Sequence, residues 1–150
     1  MKVFYSKGLQ KPWHNLTDNM SQPFILEFKV RDYELDLQGI VNNAVYQNYL
    51  EHARHEYLKT FDLDFNQLHI DGYDAVVIKS EIEYKKALKS GDTFTVHTHA
   101  EKEGRLKIIF HQSLFVGTEQ VIALKAKITT ACVSNGRPVE PLLILNKMGL

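Results

Sequence analysis

A single cysteine, Cys132, rules out an internal disulfide framework. Its neighbours, "ITTACV", read as strand, so a buried, inert thiol is expected. A catalytic thiolate needs an electropositive, partly exposed setting, and nothing near Cys132 supplies one. A surplus of either charge is also missing, because 18 Lys and Arg balance 18 Asp and Glu. That balance argues against a nucleic-acid partner, which calls for a basic excess or stripe. The one short basic stretch, "YKKALK" from Tyr84 to Lys89, reads as a solvated strand end. No apolar run approaches the ~20 residues that span a bilayer. The first twenty residues lack the apolar core of a signal peptide, so a cytoplasmic protein without membrane attachment is expected. A Gly-rich phosphate loop, a Ser-centred elbow and a Cys-x-x-Cys pair are all absent.

What is present fits one domain. The 150 residues, 44% of them hydrophobic, can bury about 70% of the surface that the unfolded chain exposes. Residues 1–21 are polar and aperiodic and read as an N-terminal extension to a domain over 22–150. "FILEFKVR" (Phe24 to Arg31) alternates as a strand does. From Asn43 to Phe61 the period changes. Tyr46, Tyr49, Leu50, Ala53, Tyr57 and Phe61 recur at spacings of three and four and form one helical stripe, with Asn43 as the expected cap. "DLDFNQLHIDG" gives a short helical turn, and four long strand patterns follow, joined by "KSGD", "EG" and "GTE". "SNGRP" closes the last strand and "VEPLLILNKMGL" forms a tail. Sequential strands with short links pair antiparallel. The pattern predicts an α+β fold, a strongly curved antiparallel sheet around one long helix. Its edges need cover, and pairing two subunits edge to edge is one way to provide it.

Between the first strand and the helix lies "LDLQGIVNN". A helix start carries unpaired N–H groups and about half a positive charge, so it can hold an anion or a developing oxyanion. Gly39 lets the chain turn and lets a ligand approach the backbone. Asp36 stands just before this junction. A carboxylate beside N–H donors can activate water, or attack directly, while the donors polarise a carbonyl. The same residues also make an ordinary turn and cap.

The segment "VRDYELDLQGIVNNAVYQNYLEHAR" resembles the hot-dog-fold acyl-CoA thioesterases of the 4-hydroxybenzoyl-CoA thioesterase type. The resemblance rests on Asp36, Gly39, Ile40, Val41 and Tyr46, and more weakly on "IEYKKALKSGD" and "CVSNGRPVEP". It implies a hot-dog fold and hydrolysis of an acyl thioester without a cofactor. Asp36 matches the family's general base or nucleophile, and Asn43 the position whose backbone N–H polarises the thioester carbonyl. Gly39 matches the glycine of the turn, and Ile40 and Tyr46 match positions lining the substrate. It further implies a homodimer, associating into a homotetramer, with the pantetheine arm running between chains. Many relatives place a histidine at the position of Ile40 or Asn43, and this chain does not. "VNNAVY" also resembles plant acyl-ACP thioesterases, whose loop reads aspartate, x, asparagine, x, histidine. Here those last two positions are Gln38 and Ile40. Gln38 can orient a water but cannot act as acid or base. An acyl-carrier protein therefore stands beside acyl-CoA as candidate substrate.

Other candidates are weaker. Glu51 and His55, at i and i+4, could hold a metal, but no third ligand is in view and none is expected. His97 and His99 share a strand face with His111 on the next strand, as packed or exposed histidines do. Arg137 in "NGRP" can contact a CoA phosphate as a forked donor. A hydratase or dehydratase of the same fold would need an acid–base pair, usually including a histidine, which the loop lacks. A non-catalytic protein that binds acyl thioesters is the remaining alternative.

Overall fold

The computed structural model describes residues 22–150, so the N-terminal stretch 1–21 read as an extension lies outside the described residues. Strand β1 (Phe24–Lys29) leads through a single 3-10 turn (Asp32–Glu34) and a loop into helix α1 (Asn43–Lys59). Helix α2 (Phe65–Ile70) follows, then β2 (Asp74–Tyr84), β3 (Thr93–Glu103), β4 (Lys107–Val116) and β5 (Val121–Ser134). A short β6 (Arg137–Val139) and helix α3 (Leu142–Met148) end the chain. The strands form one curled antiparallel sheet in the order β1-β3-β4-β5-β2, with β6 paired to the end of β5. α1 lies across its concave face.

One expectation about connectivity changes. β2 and β3 follow each other in sequence but are not neighbours. β2 pairs with β5 at one edge, and the segment from Lys85 to Asp92 carries the chain across to β3. A short link therefore does not mean a hairpin here. The C-terminal tail, to which the sequence pattern assigns no element, forms after Pro141 the helix α3, which buries Ile144 and Leu145 and ends on the left-handed Gly149.

Of the helical stripe, Tyr46, Tyr49, Leu50 and Ala53 are buried and Tyr57 and Phe61 half-buried, while Leu58, outside the stripe, is buried as well. Tyr46, Tyr49, Leu50, Ala53 and Leu58 enter the core with Phe94, Val96, Leu114 and Leu124 of the sheet. α1 stops at Lys59, so Phe61 falls in the turn beyond it, where its ring still meets Tyr57 edge-on. A polar cluster sits in the middle of this interface. Gln112, 1% exposed, donates to the Leu50 carbonyl at 2.9 Å and to Thr98 at 3.1 Å. Its carbonyl oxygen accepts from Arg54 at 3.0 Å. Each bond satisfies a group that burial would otherwise penalise, and together they fix the helix on β3 and β4.

The convex face of the sheet carries His97, His99 and His111. His99 pairs across the strands with His111, their rings 4.9 Å apart, and His97 packs on Phe115 at 4.5 Å. Burial lowers the pKa of His97 and His99, and His111 pushes the same way at His99. Glu101, which pairs with His111 at 2.8 Å, opposes it. Below the ordinary imidazole value of about 6.5 the unfolded chain binds more protons at these positions than the folded one. Their contribution is therefore full above about pH 6.5 and is lost as pH falls through the lower folded values. Melting midpoints are expected to fall on acidification from about pH 7.5 to 5.5, and to fall less in a His97→Gln, His99→Gln double variant. Equal slopes in the two proteins would contradict this.

Candidate active site

The loop between β1 and α1 is a closed, braced turn. An isolated bridge pairs Leu35 with Val41. Inside it, the Asp36 N–H donates to the Ile40 carbonyl at 2.8 Å, and the Gly39 N–H to the Asp36 carbonyl at 3.1 Å. Gly39 has φ +74°, a left-handed conformation that side chains resist, which is why glycine stands there. Asp36 Oδ1 accepts from the Gln38 N–H at 2.8 Å, and its other oxygen has no partner among the described residues. Asp36 and Ile40 are half-buried, and Gln38 is exposed with its N–H engaged by Asp36.

The cap is Asn42 rather than Asn43: its side chain accepts from the Ala44 N–H at 2.9 Å. Asn43 is the first helical residue. Its N–H has no acceptor among the described residues, whereas the N–H groups of Asn42, Ala44 and Val45 are all bonded. One donor is therefore unspent at the positive end of a 17-residue helix. The Tyr84 hydroxyl, from the end of β2, reaches the Asn43 carbonyl at 3.5 Å.

Tyr46, expected to line the substrate, is buried at 4% exposure, and its hydroxyl accepts from the Leu88 N–H at 3.0 Å. Its ring meets Tyr84 and Tyr49 edge-on. Burial raises its pKa. Arg137 is not brought to the loop. It is exposed on β6, beside Ser134, while Tyr84 pairs with Leu124 near the other end of β5. At ~3.3 Å per residue those two ends of β5 are roughly 30 Å apart. Glu51 and His55 approach to 3.9 Å on the surface of α1. Among the described residues no group of three or more His, Cys, Asp or Glu could hold a metal ion. Cys132 is buried, as its strand context implies, and burial raises its thiol pKa. No described helix is long and apolar enough to cross a membrane.

Sequence reasoning left Glu34 without a role. It is buried, and its Oε2 accepts from the Tyr49 hydroxyl at 2.5 Å and from the Arg31 N–H at 2.7 Å. Burial and this carboxylate push the Tyr49 phenol well above the ordinary tyrosine range. Glu34 and Tyr49 also line an open groove of about 1150 Å³ between β1, the 3-10 turn and α1, together with Phe28, Arg31, His52 and Gly91. Asp36 does not line that groove. The available signal was a glutamate two residues before the aspartate and a tyrosine in the stripe. Nothing in the spacing says that the two touch.

A curled antiparallel sheet closed over one long helix, with a glycine turn at the helix start, is a hot-dog domain. Residues 38–123 match the model of the thioesterase superfamily, and the chain belongs to that superfamily. The matched segment begins at Gln38, two residues after Asp36. A chloroplast acyl-acyl carrier protein thioesterase of Arabidopsis thaliana is 37% identical over 73% of this chain, and the alignment spans 58% of that protein's length. An acyl-CoA thioesterase of Haemophilus influenzae is 34% identical over 73% of this chain and 82% of its own. The crystal structure of a hypothetical protein from Aquifex aeolicus superposes with a TM-score of 0.79 at 33% identity, covering 84% of this chain and 99% of that one.

Proposed function

We propose that the chain hydrolyses acyl thioesters, with acyl-CoA as substrate and Asp36 as the group that activates water. The observation carrying this reading is one closed loop that holds a half-buried carboxylate with a free oxygen and leads into an unspent N–H at the helix start. In the reaction, Asp36 takes a proton from water as the oxygen attacks the carbonyl carbon. The carbonyl oxygen gains charge and rests on the Asn43 N–H, aided by the helix dipole. Collapse breaks the C–S bond, and the thiolate leaves and is protonated. If Asp36 attacks directly, an anhydride forms first and water then opens it. A single oxyanion donor of this kind lowers the barrier by about 3–4 kcal/mol. Gln38, exposed at the turn, can orient the water. Gly39 and Ile40 shape the wall beside it.

The relatives named as acyl-CoA and as acyl-carrier-protein thioesterases leave two carriers to separate. A panel of acyl-CoA and acyl-carrier thioesters, read by free-thiol release, does so. Turnover of acyl-CoA is expected. Hydration of enoyl-CoA without thiol release would identify a hydratase instead, and tight binding without turnover a carrier-binding protein.

The site is read as completed by a second copy. β2 is an edge strand, and Val76, Val77 and Ile78 on it are 38%, 48% and 53% exposed. An apolar edge strand of this kind supports reading β2 as the surface on which two copies pair. Val77→Asp with Ile78→Asp is expected to convert a dimer to monomer in sedimentation velocity and to lower turnover at least tenfold. A wild-type chain that sediments as a monomer at full activity would contradict the pairing.

A further inference from the structure

We propose that Glu34 is a positioning residue for the reaction, held by Tyr49, and that α1 thereby braces the loop that precedes it. This rests on the reading of Asp36 and Asn43 given above and concerns how those two groups are kept in register.

The loop has two ends, and a tyrosine of α1 secures each. At its entry, the Tyr49 hydroxyl donates to the Glu34 carboxylate, which also takes the Arg31 N–H and, at 3.3 Å, the Arg31 guanidinium. The Glu34 carbonyl accepts in turn from the N–H of the capping residue Asn42 at 3.0 Å. Glu34 is thus bonded at its side chain to the helix face and at its backbone to the helix start. At the exit, the Tyr46 hydroxyl accepts from the Leu88 N–H, and the Leu88 carbonyl accepts from the Val41 N–H at 2.9 Å. Tyr46 and Tyr49 lie one turn apart on the same buried face. Asp36 and the bridge from Leu35 to Val41 are suspended between these anchors.

A carboxylate is a costly choice for this place. Burying a carboxylate carries a desolvation penalty unless donors meet it, and apolar contacts alone could attach the turn to the helix. A charge-assisted bond adds fixed distance and direction. Direction matters here, because an error of about 1 Å between general base and oxyanion donor can cost on the order of 10²-fold in rate.

Tyr49→Phe keeps the ring and its packing and removes only the hydroxyl. Its kcat on acyl-CoA is expected to fall at least tenfold while KM stays within about threefold. Amide exchange over residues 35–44 is expected to accelerate, with β3 to β5 unchanged. Glu34→Gln, which still offers an oxygen to Tyr49, is expected to retain more kcat than Glu34→Ala. Wild-type kcat in a folded Tyr49→Phe protein would overturn the proposal. So would a loss that merely tracks the fraction unfolded, or Glu34→Gln falling as far as Glu34→Ala. Asp36→Asn measured alongside separates the two claims. An inactive Asp36→Asn with a fully active Tyr49→Phe removes the brace and leaves the proposed function standing. Full activity in both removes that function and the brace with it.

Discussion

Asp36→Asn is expected to fold as the parent does and to lose about 10²–10⁴ in thioester turnover. The substitution is selective because of what Asp36 does structurally. Its Oδ1 holds the Gln38 N–H, and an asparagine oxygen holds it equally well. The turn itself is closed by backbone bonds, Asp36 N–H to Ile40 and Gly39 N–H to Asp36, that do not depend on the side chain. Only the second, free oxygen changes, from a basic carboxylate oxygen to an amide nitrogen that cannot take a proton. Circular dichroism and melting should therefore match the parent while kcat collapses, whether Asp36 acts as base or as nucleophile. Asp36→Ala is expected to be as inactive and slightly less stable, since it also loses the bond to Gln38. Parent-level turnover in either folded variant would rule out the mechanism.

Phe94→Ala is expected to have the largest effect on stability, a loss of about 3–5 kcal/mol. Phe94 is 2% exposed and joins three elements. Its ring stacks on Phe28 of β1 at 5.2 Å, nearly parallel at 5°, and meets Tyr49 of α1 at 4.9 Å. Truncation opens a cavity between strand and helix that neither side can close without moving. For a domain of ~150 residues this corresponds to roughly 10 °C in melting temperature, a large part of a total stability of about 5–15 kcal/mol. Phe94→Leu, which fills much of the space, is expected to lose well under half as much. A melting temperature within about 2 °C of the parent for Phe94→Ala would show that this aromatic wall is not what holds α1 to β1 and β3.

Much of this architecture can be read from period and composition. The stripe from Tyr46 to Tyr57 specifies a helix with one buried face, and the alternation in four long segments specifies strands. Glycine between Asp36 and the helix marks a turn with φ above zero. The rest depends on contacts that spacing does not encode. Alternation says which side chains share a face but not which strand lies next, so the passage of β2 to the far edge beside β5 is invisible. Two adjacent asparagines have the same chemistry, and only backbone dihedrals decide that Asn42 caps while Asn43 opens the helix. The run "LLILNKM" is too short for its period to separate helix from coil, although Pro141 before it and Gly149 after it are the usual punctuation of a short helix. Tyr46 is placed in the buried stripe by its spacing, with a substrate-lining role implied only by the resemblance, and Arg137 is singled out for its forked donors. In the structure Tyr46 is buried and accepts from the Leu88 N–H, and Arg137 lies beside Ser134, at the other end of β5 from the Leu124 that pairs with Tyr84. Glu34 and Tyr49 are 15 residues apart, and their contact exists only because the turn folds back on the helix.

The most direct test of the central claim is a crystal structure of the chain bound to an acyl-CoA analogue in which a methylene is inserted between carbonyl and sulfur, so that nothing can be cleaved. The analogue's carbonyl oxygen is expected about 2.7–3.1 Å from the Asn43 nitrogen, with the free oxygen of Asp36 facing the carbonyl carbon directly or across one water. A carbonyl bound away from the start of α1, or an Asp36 carboxylate directed away from it in the complex, would contradict the account.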